Sequence, residues 1–326
     1  MALASTSTSI VPLEYTVLHK DTSNLWDQLR QIMREQRYTT QDHASVALMQ
    51  EFPNVQPVFV VRPSDNLLMG ALIIIETEEV IYANVYVVRE EFRAAGFGVK
   101  MVMSFLTKMT DSLEKKPLIA RSVKSIYQVY QGPPFHAQRL YDLYIHEFSC
   151  KEEMREFFPR NSMLRGSLVD VKKMNKQQFL ALLKYDKMVT GVDRSRFLQE
   201  YFSIGFVTGV ALLSPTGAVV GLAGAVPTFE DGLYKIAPIF ASSPDDASHL
   251  VHAVLEQVQH PEAHFVFHRR TESAGDWCQR RSEELGKFTK HVSIMAQSTL
   301  NSVRYEERCR PELIFAPTNS PVHFDA

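Results

Sequence analysis

The sequence is poor in cysteine, has no long apolar run and carries almost no net charge, and each shortage excludes a class of protein. Its three cysteines, Cys150, Cys278 and Cys309, are an odd number at wide spacing, which is typical of neither a disulfide framework nor a zinc site. The longest apolar runs, such as Ala71–Ile75, are far shorter than the roughly 20 residues of a membrane span. A formal net charge of −2 favours neither a nucleic acid nor a membrane surface as a partner.

The sequence does contain enough apolar residues for two cores. Hydrophobic residues make up 45% of its 326 positions, and a chain of this length fits two domains of ordinary size. Residues 1–12 are predicted to be a disordered N-terminus, because they are small and polar and lack the basic and apolar regions of a secretory signal. Together with reduced thiols, these features lead us to expect a cytoplasmic protein.

Apolar periodicity predicts two units with the same order of elements. The first covers residues 13–160 and the second residues 167–300, with a polar linker between them and a tail at residues 301–326. Both units read as helix, strand hairpin, strand and helix, which suggests distant copies, and the first is expected to end with a helix over Ala137–Tyr144. The predicted fold class is α/β (α+β), each unit being a mixed, mostly antiparallel twisted sheet flanked by helices.

The segment with the clearest chemistry follows a buried strand that ends at Val88. It runs Arg93-Ala94-Ala95-Gly96-Phe97-Gly98, and an apolar helix is expected from Val99. Backbone N–H groups at a helix N-terminus, together with the helix dipole, suit a diphosphate, and glycine allows close approach. A plain tight turn into a helix fits the same spacing. A dinucleotide site would need a third glycine, and a P-loop would need Gly-Lys-Ser/Thr.

This stretch resembles the first signature of the GNAT N-acetyltransferase superfamily, V-x-P-x-Y/F followed by R/Q-x-x-G-x-G/A. The family's second signature, roughly N-x-x-A-x-x-L/F-Y-x-x-x-G-F, is partly matched by Ala137–Tyr141. The resemblance covers roughly residues 15–150. The residues that match the first signature are Val88, Phe92, Arg93, Gly96 and Gly98, whereas Glu90 replaces its proline, and Pro134 and Ile145 replace the asparagine and glycine of the second.

The resemblance implies that acetyl-coenzyme A is the co-substrate and that an amine receives the acetyl group directly. The strand before the loop would splay from its neighbour, and pantetheine would lie in the gap. Tyr141 matches the tyrosine that often protonates the departing thiolate, although a packed helix aromatic fits its sequence context equally. The implied pantetheine contacts are the backbones of Tyr86, Val87 and Val88, and the implied pyrophosphate contacts are Arg93, Ala94, Ala95, Gly96, Phe97, Gly98 and Val99.

The base that removes the amine proton is not identified by any motif. Glu79, in the acidic turn between two predicted strands, is a weak candidate, since such turn glutamates are usually solvated. No metal site is predicted: His260, His264 and His268 share one face of a predicted strand, but successive members are about 13 Å apart.

The second unit resembles a C-terminal domain attached to some acetyltransferases, through Asp186–Arg194 and Ile236–Ala241. It lacks R-x-x-G-x-G, because Ala241-Ser242-Ser243-Pro244 stands in that position. We therefore expect it to shape the acceptor pocket, for a small amine or an amino acid, rather than to hold a second cofactor. A catalytically inactive CoA-binding or protein-interaction module is the alternative function. Transfer of a longer acyl group is a third hypothesis, and the oligomeric state stays open.

Overall fold

The computed structural model describes residues 14–318, apart from residues 22, 23, 39, 40, 288 and 301, and builds them around one twisted sheet of 13 strands. The strands are β1 (Thr16–Leu18), β2 (Val55–Arg62), β3 (Leu67–Glu76), β4 (Ile81–Val88), β5 (Leu118–Val123), β6 (Gln138–Phe148), β7 (Ser167–Asp170), β8 (Thr208–Leu213), β9 (Val219–Pro227), β10 (Leu233–Ala241), β11 (His264–Arg270), β12 (Lys290–Gln297) and β13 (Ile314–Ala316). The α-helices are α1 (Leu25–Glu35), α2 (His43–Glu51), α3 (Phe97–Lys108), α4 (Thr110–Leu113), α5 (Lys124–Gln131), α6 (Lys151–Phe157), α7 (Lys176–Thr190), α8 (Ser195–Ser203), α9 (Pro244–Gln257) and α10 (Trp277–Glu284).

The strand order has the same form from either end of the sheet. It runs β1-β2-β3-β4-β5-β12-β6-β11-β10-β9-β8-β7, with β13 beside β10. Five strands of the N-terminal half and five of the C-terminal half therefore flank a central pair, β12 and β6. Each central strand lies next to the outer strands of the other half, so the two halves exchange a strand. The recurring order of elements that the sequence predicts is confirmed as a symmetrical topology, and the mixed, mostly antiparallel sheet is confirmed with it.

Helices cover both faces of the sheet. On one face, a single apolar cluster joins α1 and α2 of the first half to α7 and α8 of the second. On the other face, α3 packs on β2, β3 and β4, while α6, α9 and α10 form a separate cluster on the second half. Within β5, Ile119 belongs to the shared cluster and Leu118 to the α3 cluster, because successive strand residues point to opposite faces.

The predicted helix over Ala137–Tyr144 is wrong, because this segment is the start of strand β6. Tyr141 pairs with Met295 of β12, and the following residues also pair with β11 on the other side. The partner strands lie more than 100 residues further along the chain, and their hydrogen bonds override the helical spacing of this short segment. The helix that does precede β6 is α5, which the sequence analysis did not predict.

Two other sequence predictions concern the ends of elements. Helix α3 begins at Phe97, two residues earlier than expected. At the start of α1, the Asp21 side chain accepts a hydrogen bond from the Leu25 N–H at 3.1 Å. The predicted disorder of residues 1–12 lies outside the described residues. In the described part of the chain no helix is long and apolar enough to cross a membrane.

Candidate active site

The sheet opens into a fork where two parallel strands separate. Strands β4 and β5 pair only over Ile81–Ala83 and Leu118–Ala120, although β4 continues to Val88 and β5 to Val123. A cleft lies at this opening, on the side of α3 and α5. Its walls are mostly apolar, and its lining residues are Leu72, Ala83, Tyr86, Val102, Phe105, Leu118, Ala120, Arg121, Ser122, Tyr130, Phe135, Ala137, Ala296 and Ser298.

The glycine loop leads from β4 into α3 beside this cleft. Gly96 is the N-cap of α3 in a left-handed conformation (φ 82°), and a Cβ atom there would meet nothing within 4 Å. Gly98, by contrast, lies so close to the Tyr86 hydroxyl that any Cβ atom would clash with it. Gly96 therefore leaves space open to solvent, and Gly98 allows α3 to approach β4.

The first turn of α3 has free backbone donors. The first N–H group of this helix that has a backbone acceptor is that of Lys100, which donates to the Gly96 carbonyl at 3.2 Å. The N–H groups of Phe97, Gly98 and Val99 precede it and have no hydrogen-bond acceptor among the described residues, as expected for a helix start. No side chain caps this helix and no acidic residue lies in its first turn, so its positive end is uncompensated there. These features suit an anion such as a diphosphate.

The predicted pantetheine contacts lie on the part of β4 that has separated from β5. The carbonyl of Tyr86 accepts a hydrogen bond from the Tyr38 hydroxyl at 3.1 Å, and the carbonyl of Val88 accepts one from Gln36 Nε2 at 3.1 Å. Val87 pairs with Ala71 of β3 on the opposite edge. Two carbonyls of β4 are therefore bonded to side chains rather than to a neighbouring strand. Arg93 is exposed and donates from Nε to the Val88 carbonyl at 3.3 Å.

A tyrosine that the sequence analysis missed lines the cleft. Tyr130 of α5 contacts Phe135 edge to face, with ring centroids 5.7 Å apart. Burial raises the pKa of Tyr130, and the nearby hydroxyls of Tyr86 and Tyr38 raise it further, so the phenol stays protonated at neutral pH. A usable signal was present, because Tyr130, Pro134 and Phe135 have the spacing of Y-x-x-x-G-F with proline in place of glycine.

The two predicted catalytic side chains lie elsewhere. Tyr141 is buried in the shared core, with the Arg270 guanidinium 4.1 Å above its ring. Glu79 lies at the other end of β4 from the glycine loop and pairs with Arg308 at 2.7 Å, both side chains being more than half exposed. The structure thus brings the loop residues and the Tyr86–Val88 strand together, but neither Tyr141 nor Glu79 lines the cleft. No group of three or more His, Cys, Asp or Glu side chains in the described residues could hold a metal ion.

The second half has an equivalent fork, but the chain itself fills it. Strands β10 and β11 are parallel and pair only over Leu233–Lys235 and His264–Val266. Ile239 of β10 pairs with β9 on one edge and with Ala316 of β13 on the other, so β13 lies on the β11 side. Phe315 of β13 is 2% exposed and packs edge to face on Trp277 of α10.

The helix start beside this second fork is also unsuited to an anion. Ser243, within the segment that replaces the glycine loop, caps α9 by accepting from Asp246 N–H at 3.1 Å. Asp245 and Asp246 add negative charge to the first turn of α9. Asp186 and Arg194, in the segment that resembles a C-terminal domain of some acetyltransferases, form a buried ion pair, and Arg194 also donates to the Thr318 hydroxyl. The described side chains of this half therefore serve packing and capping.

The comparisons with known proteins agree with this architecture. Residues 182–300 match the family model of an acetyltransferase (GNAT) domain. An uncharacterised protein of Caenorhabditis elegans is 26% identical over 313 residues, which cover 93% of this chain and 95% of that protein. A candidate acetyltransferase from Pyrococcus horikoshii has a TM-score of 0.65 at 14% identity, covering 95% of this chain and 96% of that chain. A tandem GNAT protein from the clavulanic acid biosynthesis pathway has a TM-score of 0.64 at 12% identity, covering 89% and 99%.

The family match and the structural likeness concern different parts of the chain. The match lies in the second half, whose fork is closed, whereas the glycine loop and the open fork lie in the first half. The likeness to solved structures extends over both halves, including one protein built of two linked GNAT units. Residues 182–300 thus match a GNAT acetyltransferase domain, and the chain as a whole has the fold of a tandem GNAT protein.

Proposed function

We propose that the protein is an acetyl-CoA-dependent N-acetyltransferase that passes the acetyl group directly to an amine. The observation that carries the proposal is the open β4–β5 fork beside an uncapped helix start. The free N–H groups at Phe97–Val99 and the guanidinium of Arg93 would hold the pyrophosphate, together with the loop backbone at Ala94–Gly96. Pantetheine would enter the fork along Tyr86–Val88.

The transfer requires that one proton is removed from the amine and that one proton is supplied to the departing thiolate. The neutral amine attacks the thioester carbonyl, the carbon–sulfur bond breaks, and the departing thiolate takes a proton. Tyr130 is the group we assign to that donation, because it lines the cleft and its raised pKa keeps the proton available. The amine proton must leave to a base, and solvent can take it, whereas Glu79, the base suggested by the sequence, lies at the other end of β4 and pairs with Arg308. Tyr141 remains the alternative acid that the sequence signature suggests.

Calorimetric titration with acetyl-CoA and CoA, followed by thiol release over a panel of amines, tests this function. Micromolar binding together with amine-dependent thiol release is the expected result. Tight CoA binding without release for any amine would instead support the catalytically inactive CoA-binding module. Absence of CoA binding by a folded sample would refute the cleft assignment itself.

A further inference from the structure

One half-buried cation beside the fork forms no ion pair among the described residues. Arg121 is the first residue of β5 beyond its last pair with β4. It has the strand parity of Ile119, so it lies on the face covered by α1 and α2, opposite to α3 and the glycine loop. A ligand that passes through the fork from the α3 side therefore reaches the surroundings of Arg121.

The guanidinium of Arg121 is held in place but only partly satisfied. Its Nε donates to the Ser293 hydroxyl of β12 at 2.7 Å. Its Nη2 is buried and has no hydrogen-bond partner within the described parts of the chain. Burial lowers the pKa of Arg121, and the groups that oppose this effect are the hydroxyls of Tyr82, Tyr141 and Tyr38. None of these hydroxyls carries a negative charge at neutral pH.

The nearby buried acids are already paired with other side chains. Asp42 forms a fully buried ion pair with Lys235 of β10 and also accepts from Ser45 N–H and Oγ. Arg121 is close enough to Lys235 to help burial lower the pKa of that lysine. Arg121 and Lys235 are therefore two cations beside one carboxylate, that of Asp42. Because an unpaired buried charge is unfavourable, the arrangement suits a bound anion of one unit charge.

We propose that Arg121 binds the carboxylate of the acceptor, so that the acceptor is an amino acid or another amine that carries a carboxylate. This inference rests on the proposed acetyl transfer and specifies its substrate class. A guanidinium matches a carboxylate in shape and in charge, and one carboxylate leaves no surplus charge in the interior. A phosphate dianion would instead leave a surplus negative charge of one unit in the interior. The thioester would then lie in the fork on one side of the sheet. On the other side, Arg121 would bind the carboxylate of the acceptor and so position its amine.

The test measures binding and turnover separately. The CoA-saturated protein is titrated by ligand-observed NMR with the common amino acids and with their carboxamides, which keep the amine and remove the charge. Arg121→Met removes the cation at similar volume, and Arg121→Lys keeps the charge but loses the planar donor set. Arg196→Gln, which removes an exposed arginine from a helix pair with Glu200, is the control variant.

We expect an amino acid to bind roughly 10- to 100-fold more tightly than its carboxamide, the range of one hydrogen bond to a charged group. Arg121→Met should reduce that ratio to about one and leave the melting temperature unchanged. Equal binding of acids and amides, no binding by any amino acid, or an unchanged ratio in Arg121→Met would overturn the proposal. Selective carboxylate binding without acetyl transfer would support Arg121 and refute the proposed function, so the two failures are distinguishable.

Discussion

Gly96→Glu is the sharpest test of the pyrophosphate loop, because the structure separates its effect on folding from its effect on binding. Gly96 has φ 82°, and a side chain there meets nothing within 4 Å. A residue other than glycine in this left-handed region costs about 1–2 kcal/mol. That cost applies equally to Ala, Gln and Glu, and it corresponds to a fall of roughly 2–6 °C in melting temperature.

The charge of glutamate acts on binding alone. Its carboxylate would extend into the space in front of the free N–H groups of Phe97–Val99, where we place the pyrophosphate. Two unit charges about 5 Å apart at an effective dielectric of about 20 repel by about 3 kcal/mol. CoA affinity should therefore fall by roughly 100- to 300-fold in Gly96→Glu.

Calorimetric titration of the wild type and three variants measures this effect. Gly96→Ala reports the backbone strain, and Gly96→Gln reports the size of glutamate without its charge. We expect Gly96→Glu to bind far more weakly than Gly96→Gln, with a gap that narrows as salt is added. If the two variants bind CoA equally and as tightly as the wild type, the loop is not the pyrophosphate site.

Three further predictions concern single side chains. Tyr130→Phe should lower kcat roughly 100-fold without changing CoA affinity; a similar loss in Tyr141→Phe, with Tyr130→Phe unaffected, would return the acid role to Tyr141. Phe315→Ala should cost about 3–5 kcal/mol of unfolding free energy in urea, because β13 fills the second fork; a cost below 1 kcal/mol would contradict that packing. Burial, and secondarily Arg269, lowers the pKa of His146 to about 3. The unfolded chain therefore binds this proton more readily, and about 2 kcal/mol of stability should be lost between pH 7 and pH 5. His146→Gln should lack that loss, and an unchanged pH profile would show that His146 is not its source.

The sequence predicted those parts of the site that depend on neighbouring residues. The segment Arg93–Gly98 carries its chemistry in the spacing of two glycines before an apolar helix, and the structure places it at that helix start. The strand before this segment ends at Val88 as expected, and the helix after it begins within two residues of the expected start. These features need no knowledge of distant contacts.

The parts that the sequence did not predict depend on residues far apart in the chain. Strand β6 resembles a short helix locally and becomes a strand because β12 and β11 pair with it. Arg121 lies in an ordinary strand sequence, and only the fork and Ser293 show that it is half-buried beside an opening. Strand β13 lies in what reads as a tail, and its role depends on a gap between β10 and β11.

The exchanged strands make the cleft dependent on both halves of the chain. Ala296 and Ser298 of the second half line the cleft, and the Ser298 N–H and hydroxyl donate to the carbonyls of Leu118 and Phe135 at 2.8 Å. Without β12, one edge of β5 and one edge of β6 would have unpaired backbone groups.

A fragment that ends at the exposed Met163 should therefore neither fold nor bind CoA, although it contains the whole glycine loop. Coexpression with residues 164–326 should restore both properties, since the two pieces can still exchange strands. Circular dichroism and CoA titration of each piece and of the mixture measure this. Tight CoA binding by residues 1–163 alone would contradict the reasoning, because the cleft would then need no strand from the second half.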